Sequence, residues 1–362
     1  MLRPPAALAL LLALALAACG GDDGASPTPS PTSAPSAAPS PSPTRSQAPG
    51  VVVDQLSYIG PGGEIRLVNA DGSGDHVFAD AACTGSAKAQ GSMAWSPDGV
   101  GVAYLCPSES GTTHTLVVRG LGGAEIARVE DVNYFRWSPD SNRIAYATGE
   151  FAVRILDVDS GQTRDAHDDA VLLDWAGLGT LLLGLSPVSG EFSVEFKAFL
   201  VDIAPGKATA VPYLDNQRMV WVTADGSRVV TITDAWNNGR GMAVYDFAQD
   251  LAVTIDGGYI GYPSDFIPNQ QLAFSTDGSA AYWANAAEGP TSVWTARLDA
   301  PQAEKLGDVQ SIFVAVSPSG KVAGEFLDGG TVGTLVIADL VGGVRAGVGP
   351  SSGPFAWRTL IP

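Results

Sequence analysis

A six-residue phrase, Ala94-Trp95-Ser96-Pro97-Asp98-Gly99, recurs along this chain at nearly regular intervals, and that recurrence restricts the fold more than any other feature. It returns as Arg136-Trp137-Ser138-Pro139-Asp140-Ser141, Phe274-Ser275-Thr276-Asp277-Gly278 and Val316-Ser317-Pro318-Ser319-Gly320. Looser copies are Asp174-Trp175-Ala176-Gly177 and Val222-Thr223-Ala224-Asp225-Gly226, and a truncated one, Phe355-Ala356-Trp357-Arg358, lies near the end. Each copy reads as a strand end entering a tight turn. Pro presets φ, Asp bonds back to the backbone and Gly accepts positive φ. The large apolar residue before the turn suits the space of about 10 Å between packed sheets.

Between the copies run short, half-alternating apolar stretches separated by Gly, Pro, Asp and Asn, a strand pattern. Two units show the layout. One has strands at 93–95, 100–105, 115–119 and 125–129. The other has strands at 133–137, 143–147 and 153–158, then the turn Asp159-Ser160-Gly161 and a short fourth strand. Anchor residues at 95, 137, 175, 222, 274, 316 and 357 give steps of 42, 38, 47, 52, 42 and 41 residues. A period near forty with four strands per repeat predicts propeller blades. The fold expected is all-β, a seven-bladed β-propeller, with six blades as the alternative if the weak anchors at 175 and 222 do not count. Trp357 has too little chain after it for a blade. Strands within 51–80 (55–59, 64–69 and 76–79) supply the missing three, so the last blade joins both ends of the chain and closes the ring.

Trp95-Ser96-Pro97-Asp98-Gly99 followed by Val102-Ala103-Tyr104, together with Val68-Asn69-Ala70-Asp71-Gly72-Ser73-Gly74, resembles the repeat of TolB-type, WD-repeat-like β-propellers. The resemblance spans residues 51–362 in four good copies and three degraded ones. Members of that family are often six-bladed. They include envelope scaffold proteins, propeller domains of serine peptidases and some lyases, so the resemblance implies a fold rather than one activity.

Residues 1–18 read as a signal peptide, with a basic start followed by an apolar run too short for a confident membrane span. Leu16-Ala17-Ala18-Cys19-Gly20 resembles the lipobox of bacterial lipoproteins, which implies cleavage before Cys19 and a lipid on its sulfur. An ordinary secretory signal followed by a chance Cys is the alternative. Residues 19–50 form a linker with eight prolines among Ser, Thr and Ala, a composition that favours extended polyproline II. At roughly 3.1 Å per residue it could reach about 95 Å, as a stalk lifting the domain at 51–362 off a membrane. The expected location is the cell membrane, lipid-anchored and facing outside the cytoplasm. There Cys83 and Cys106 are an even pair suited to a disulfide, two free buried thiols being the alternative. The net charge of −18, from 38 acidic and 20 basic residues, argues against nucleic acid.

Catalytic and metal motifs are thin. Gly349-Pro350-Ser351-Ser352-Gly353 matches a nucleophile elbow in letters, but no His follows it and a loop is expected there. His76, His114 and His167 fall in three different blades, His167 in a solvated acidic loop. Asn69 to Asp75 partly mimics a calcium loop but lacks the Glu at position twelve, and reads as a hairpin turn. No cofactor and no metal are expected. The connections after strands two and four of each blade are long, and long loops on a rigid scaffold favour binding. Two of them, on adjacent blades, hold large side chains among polar ones: Trp236, Asn238 and Arg240 in one, Tyr259, Tyr262 and Asp265 in the other. The function expected is a non-catalytic, monomeric binding or scaffold protein that engages an envelope protein, peptide or glycan through this face. A carbohydrate lyase or hydrolase acting at the channel mouth is the alternative.

Overall fold

The computed structural model describes residues 54–80, 83, 92–108, 113–149, 151–185, 196–204, 207–217, 219–233, 240–260, 272–285, 292–309, 314–327, 333–351 and 354–358. Apart from one 3-10 turn at Pro212–Leu214, their regular structure is strand. In chain order, β1 (Gln55–Ile59), β2 (Ile65–Asn69) and β3 (His76–Ala79) are followed by β4 (Met93–Trp95), β5 (Gly101–Pro107), β6 (His114–Gly120) and β7 (Glu125–Trp137). Next come β8 (Arg143–Thr148), β9 (Val153–Asp157) and β10 (Thr163–His167), then β11 (Ala170–Trp175), β12 (Thr180–Leu185), β13 (Lys197–Asp202) and β14 (Ala208–Ala210). The fourth blade is β15 (Val220–Val222), β16 (Arg228–Thr233), β17 (Arg240–Asp246) and β18 (Leu251–Ile260). The fifth is β19 (Leu272–Phe274), β20 (Ala280–Asn285), β21 (Ser292–Arg297) and β22 (Glu304–Asp308). The sixth is β23 (Val314–Val316), β24 (Val322–Leu327), β25 (Gly333–Asp339) and β26 (Arg345–Ser351), before the final strand β27 (Phe355–Arg358).

These strands form five four-stranded antiparallel sheets and one of seven strands, ordered β10-β9-β8-β7-β6-β5-β4. The seven-stranded sheet is two blades sharing β7. Its first half pairs with β6 as the outer strand of one blade, and its second half pairs with β8 as the inner strand of the next. The strands expected at 125–129 and 133–137 are therefore one. The intervening polar residues stay in the sheet because two register shifts and Asp131, at φ 61°, absorb the change of partner.

The sheet β27-β1-β2-β3 joins the chain ends as expected, with Leu56 opposite Trp357 and Ser57 opposite Ala356. Seven apolar clusters fill the gaps between successive blades. Trp95 and Tyr104 of the first blade pack on Ile59 and Ile65 of the composite blade, and Trp137 and Tyr146 of the second pack on Leu105 and Val118 of the first. The next three gaps are filled around Trp175, Leu214 and Trp283, and the last two around Val314 and Trp357. Each blade thus contributes to two cores, and the circuit has no gap.

The anchor tryptophans also bond across these gaps. The indole N–H groups of Trp137, Trp175 and Trp357 donate to the carbonyls of Ala94, Arg136 and Ala315 on the preceding inner strand, at 3.2, 3.0 and 2.6 Å. At the seam Trp95 donates to the hydroxyl of Ser57 at 2.9 Å, and Ser57 passes the bond on to the carbonyl of Ala356 at 3.0 Å. A buried indole needs such an acceptor, and the inner-strand carbonyls face it.

Candidate functional site

The turns after the inner strands are closed systems. The hydroxyls of Ser96, Ser138, Thr223 and Ser275 each donate to the Asp two residues on. Each hydroxyl also accepts an amide from five residues on, at 2.8–3.1 Å. The residue three positions after the hydroxyl residue is left-handed in these copies and in the one at Ser317: Gly99, Ser141, Gly226, Gly278 and Gly320. The hydroxyl of each turn and at least one oxygen of its Asp are thus engaged within the turn.

The opposite face is less uniform than its sequence suggests. Between the first and second blades there is no connection, because β7 runs through, and between the second and third only Asp168 and Asp169 intervene. His167 ends the edge strand β10 rather than lying in a loop. The long connections gather on the remaining blades.

Trp236, Asn238, Tyr262 and Asp265 lie outside the described residues, as does Cys19. Arg240 opens β17 and Tyr259 stands next to the end of β18. Arg240 pairs with Ile260 and Gly241 pairs with Tyr259. The stretch 234–239 therefore leads into the same strand pair from which 261–271 departs. The stretch 261–271 leads on into β19 of the fifth blade, so the two stretches share a root on the fourth blade and the second reaches the adjacent one.

Other sequence motifs resolve into structure. Cys83 and Cys106 form a disulfide with Cα atoms 5.5 Å apart, in the core between the composite and first blades. Closing a loop over a separation of 23 residues contributes about 3 kcal/mol in the chain-entropy account. Ser351, the nominal elbow serine, lies in β26 rather than in a loop, and its fully buried hydroxyl donates to the carbonyl of Ile59 at 2.9 Å. The stretch from Asn69 is a hairpin turn in which the Asp71 carboxylate accepts from the amide and hydroxyl of Ser73.

The inner strands hold a charged group that composition did not reveal. The residue before each anchor is Ala94, Arg136, Asp174, Trp221, Ala273, Ala315 or Ala356, one per blade. In this layer only Arg136 and Asp174 are charged, and they are neighbours. Arg136 Nε lies 3.7 Å from Asp174 Oδ1, with the two side chains 13% and 14% exposed. The carboxylate is committed elsewhere: Oδ1 accepts from the amide of Trp175 and Oδ2 from the amide of Val222, each at 2.9 Å. Asp174 thereby ties the third blade to the fourth. Burial pushes its pKa up, against the pull of Arg136 and the two amides. The Arg136 guanidinium lies 4.7 Å from the ring centroid of Tyr134, two residues back on the same side of β7. Burial raises the Tyr134 phenol well above its ordinary range. Arg136 Nε is buried with no hydrogen-bond acceptor among the described residues.

No protein-family model matches the sequence, and no curated protein matches it. Solved structures do. TolB from Acinetobacter baumannii aligns with a TM-score of 0.50 at 14% identity, over 82% of this chain and 78% of that one. The β-propeller domain of Myceliophteria thermophila Cps50 (Swd1) aligns at 0.51 and 15%, over 73% and 86%. The fold is a β-propeller. Oligogalacturonate lyase from Vibrio parahaemolyticus aligns with this propeller at 0.52 and 10% identity, over 83% and 86%. At such identities the likeness concerns the fold alone. The propeller's Arg136 escaped sequence reading because a lone Arg beside a Trp is unremarkable. Superposing the seven anchors exposes it, since four of the seven preceding positions are Ala.

Proposed function

We propose that this chain is a lipid-anchored, extracytoplasmic binding or scaffold protein without catalytic activity, and that it engages an envelope protein, peptide or glycan. The anchor is the lipid on Cys19, and residues 19–50 are the stalk that carries a monomeric propeller away from the membrane. Two or more acyl chains hold such a protein stably, where one does so only marginally.

The observation that carries this reading is the pairing of Arg240 with Ile260. Residues 240 and 260 adjoin in sequence the two aromatic-containing stretches, 234–239 with Trp236 and Asn238 and 261–271 with Tyr262 and Asp265. Residues of these types dominate binding hot spots when clustered. The opposite face supports the assignment by contrast, its turn hydroxyls and carboxylates being paired with each other.

The test is a crosslinking pull-down from intact envelopes with the full chain, comparing the native protein with a Trp236→Ala, Tyr262→Ala double variant. The expected result is loss of a discrete crosslinked partner with an unchanged denaturation midpoint. Equal capture by both proteins would move the binding surface away from these two stretches.

A further inference from the structure

A guanidinium offers five N–H donors and is charged at any physiological pH. Arg136 brings such a group into the inner layer of the propeller, mostly buried, with Nε unsatisfied among the described residues. A buried donor without an acceptor is costly, more so when charged. Asp174 does not repair this. It balances the charge, but at 3.7 Å it is beyond hydrogen-bond distance, and its oxygens are held by the amides of Trp175 and Val222. Tyr134 supports the guanidinium through its ring, which supplies no acceptor in line with the N–H groups. The guanidinium fork is therefore held in place while its Nε stays without an acceptor among the described residues.

The group that fits is planar, accepts two parallel hydrogen bonds and carries a single negative charge. A carboxylate meets all three conditions. A phosphate dianion meets the fork equally well, but it would sit close to Asp174 in a molecule of net charge −18, where a second negative charge is opposed. The remaining positions of the layer are four Ala residues and Trp221, so no further charge of this layer competes with the Arg136–Asp174 pair.

From this geometry we infer that Arg136, backed by Tyr134 and oriented by Asp174, is a receptor for a ligand carboxylate at the inner-strand layer of the propeller. The carboxylate belongs to a peptide C-terminus or to an acidic sugar. Arg136 is the second-last residue before the turn at 138–142, so this site lies near the short-turn end of the inner strands. It goes beyond the function proposed above, and its test does not depend on that reading.

The experiment is ligand-observed NMR on the full chain with three probes: acetyl-alanyl-alanine with a free carboxylate, the same peptide as its C-terminal amide, and glucuronate. The expected result is binding of at least one acid and no binding of the amide. Arg136→Met should weaken the acid by at least about tenfold, the loss expected for a charge-assisted hydrogen bond. The tighter of the two acids names the source of the carboxylate. Arg136→Lys keeps the charge without the fork and should weaken binding several-fold, which covers the case in which the Met variant does not fold. Failure of both acids to bind, equal binding of peptide acid and amide, or full binding by Arg136→Lys would each overturn the assignment.

Discussion

At the scale of single residues, the recurring turn makes one demand that no side chain can evade: a left-handed backbone. Gly278 and Gly226 occupy the same place in two copies, at φ 69° and 72°, but their surroundings differ. A Cβ on Gly278 would meet nothing within 4 Å, whereas one on Gly226 would sit 2.8 Å from the carbonyl oxygen of Ala176 in the neighbouring blade's turn. Gly278→Ala should therefore cost only the backbone penalty, about 1 kcal/mol. Gly226→Ala should add overpacking against a backbone that cannot give way, a further ~1–3 kcal/mol. Denaturation midpoints of the two variants measure the difference, and equal costs would show that the blades yield at this contact. Ser141 occupies the left-handed place in a third copy at φ 62°, where its hydroxyl accepts from the amide of Asp98 in the first blade. There a bond between blades accompanies the unfavourable conformation.

At the scale of elements, the turn acts as an acid-sensitive clasp. The Ser275 hydroxyl, then the amide and hydroxyl of Ser279, hold the Asp277 carboxyl at a pKa of about 2. Asp71 is held low by the hydroxyl and amide of Ser73, and Asp339 by the amides of Gly342 and Val341. In the unfolded chain an Asp titrates near about 3.9. A folded value below the unfolded one gives stability that is present above about pH 4 and lost as pH falls toward about 2. Asp174 has the opposite sign, since burial raises its value and protonation relieves it. The turn carboxylates outnumber it, so the denaturation midpoint should fall through this window. The gap between the native protein and Asp277→Asn should narrow there too, and a gap unchanged from pH 6 to pH 2 would rule out this carboxylate as a contributor. These turns were legible in the sequence because Ser, Pro, Asp and Gly each have one steric or hydrogen-bonding reason to stand where they do. The strand β7 was not legible as one element. Glu130-Asp131-Val132-Asn133 has the composition of a loop, and only pairing on both sides holds it in a sheet. Arg136 was hidden for a related reason: what distinguishes it is a neighbour 38 residues away in sequence, Asp174.

At the scale of the whole propeller, the seam decides whether seven blades act as one. Four-stranded sheets repeated in a row would leave two terminal faces exposed. Here β27 removes them by pairing with β1, and Arg358 fastens the junction. Its Nε donates to the carbonyl of Gly99 and one terminal nitrogen to Gln55 Oε1, both at 2.8 Å, across 259 and 303 residues of sequence. The guanidinium also lies 5.1 Å from the ring centroid of Trp95. Burial lowers its pKa, opposed by the charge of Asp98, yet it remains far from neutral at any working pH. Contacts of such long range form only after the intervening blades are in place, so they belong to the late part of folding. Arg358→Ala removes a half-buried group with two charge-assisted hydrogen bonds and leaves the Gly99 carbonyl in need of another donor, at an expected cost of about 2–3 kcal/mol. Arg297 is the control. It forms an ion pair with Asp299 that is equally short, but the two side chains are 70% and 51% exposed and belong to one local turn. Its replacement by Ala should leave the denaturation midpoint essentially where it is. If the seam couples the ring, Arg358→Ala should also broaden the unfolding transition by letting the composite and first blades separate early, while Arg297→Ala leaves its slope unchanged. Two equal, small effects would mean that the apolar clusters alone hold the circuit closed.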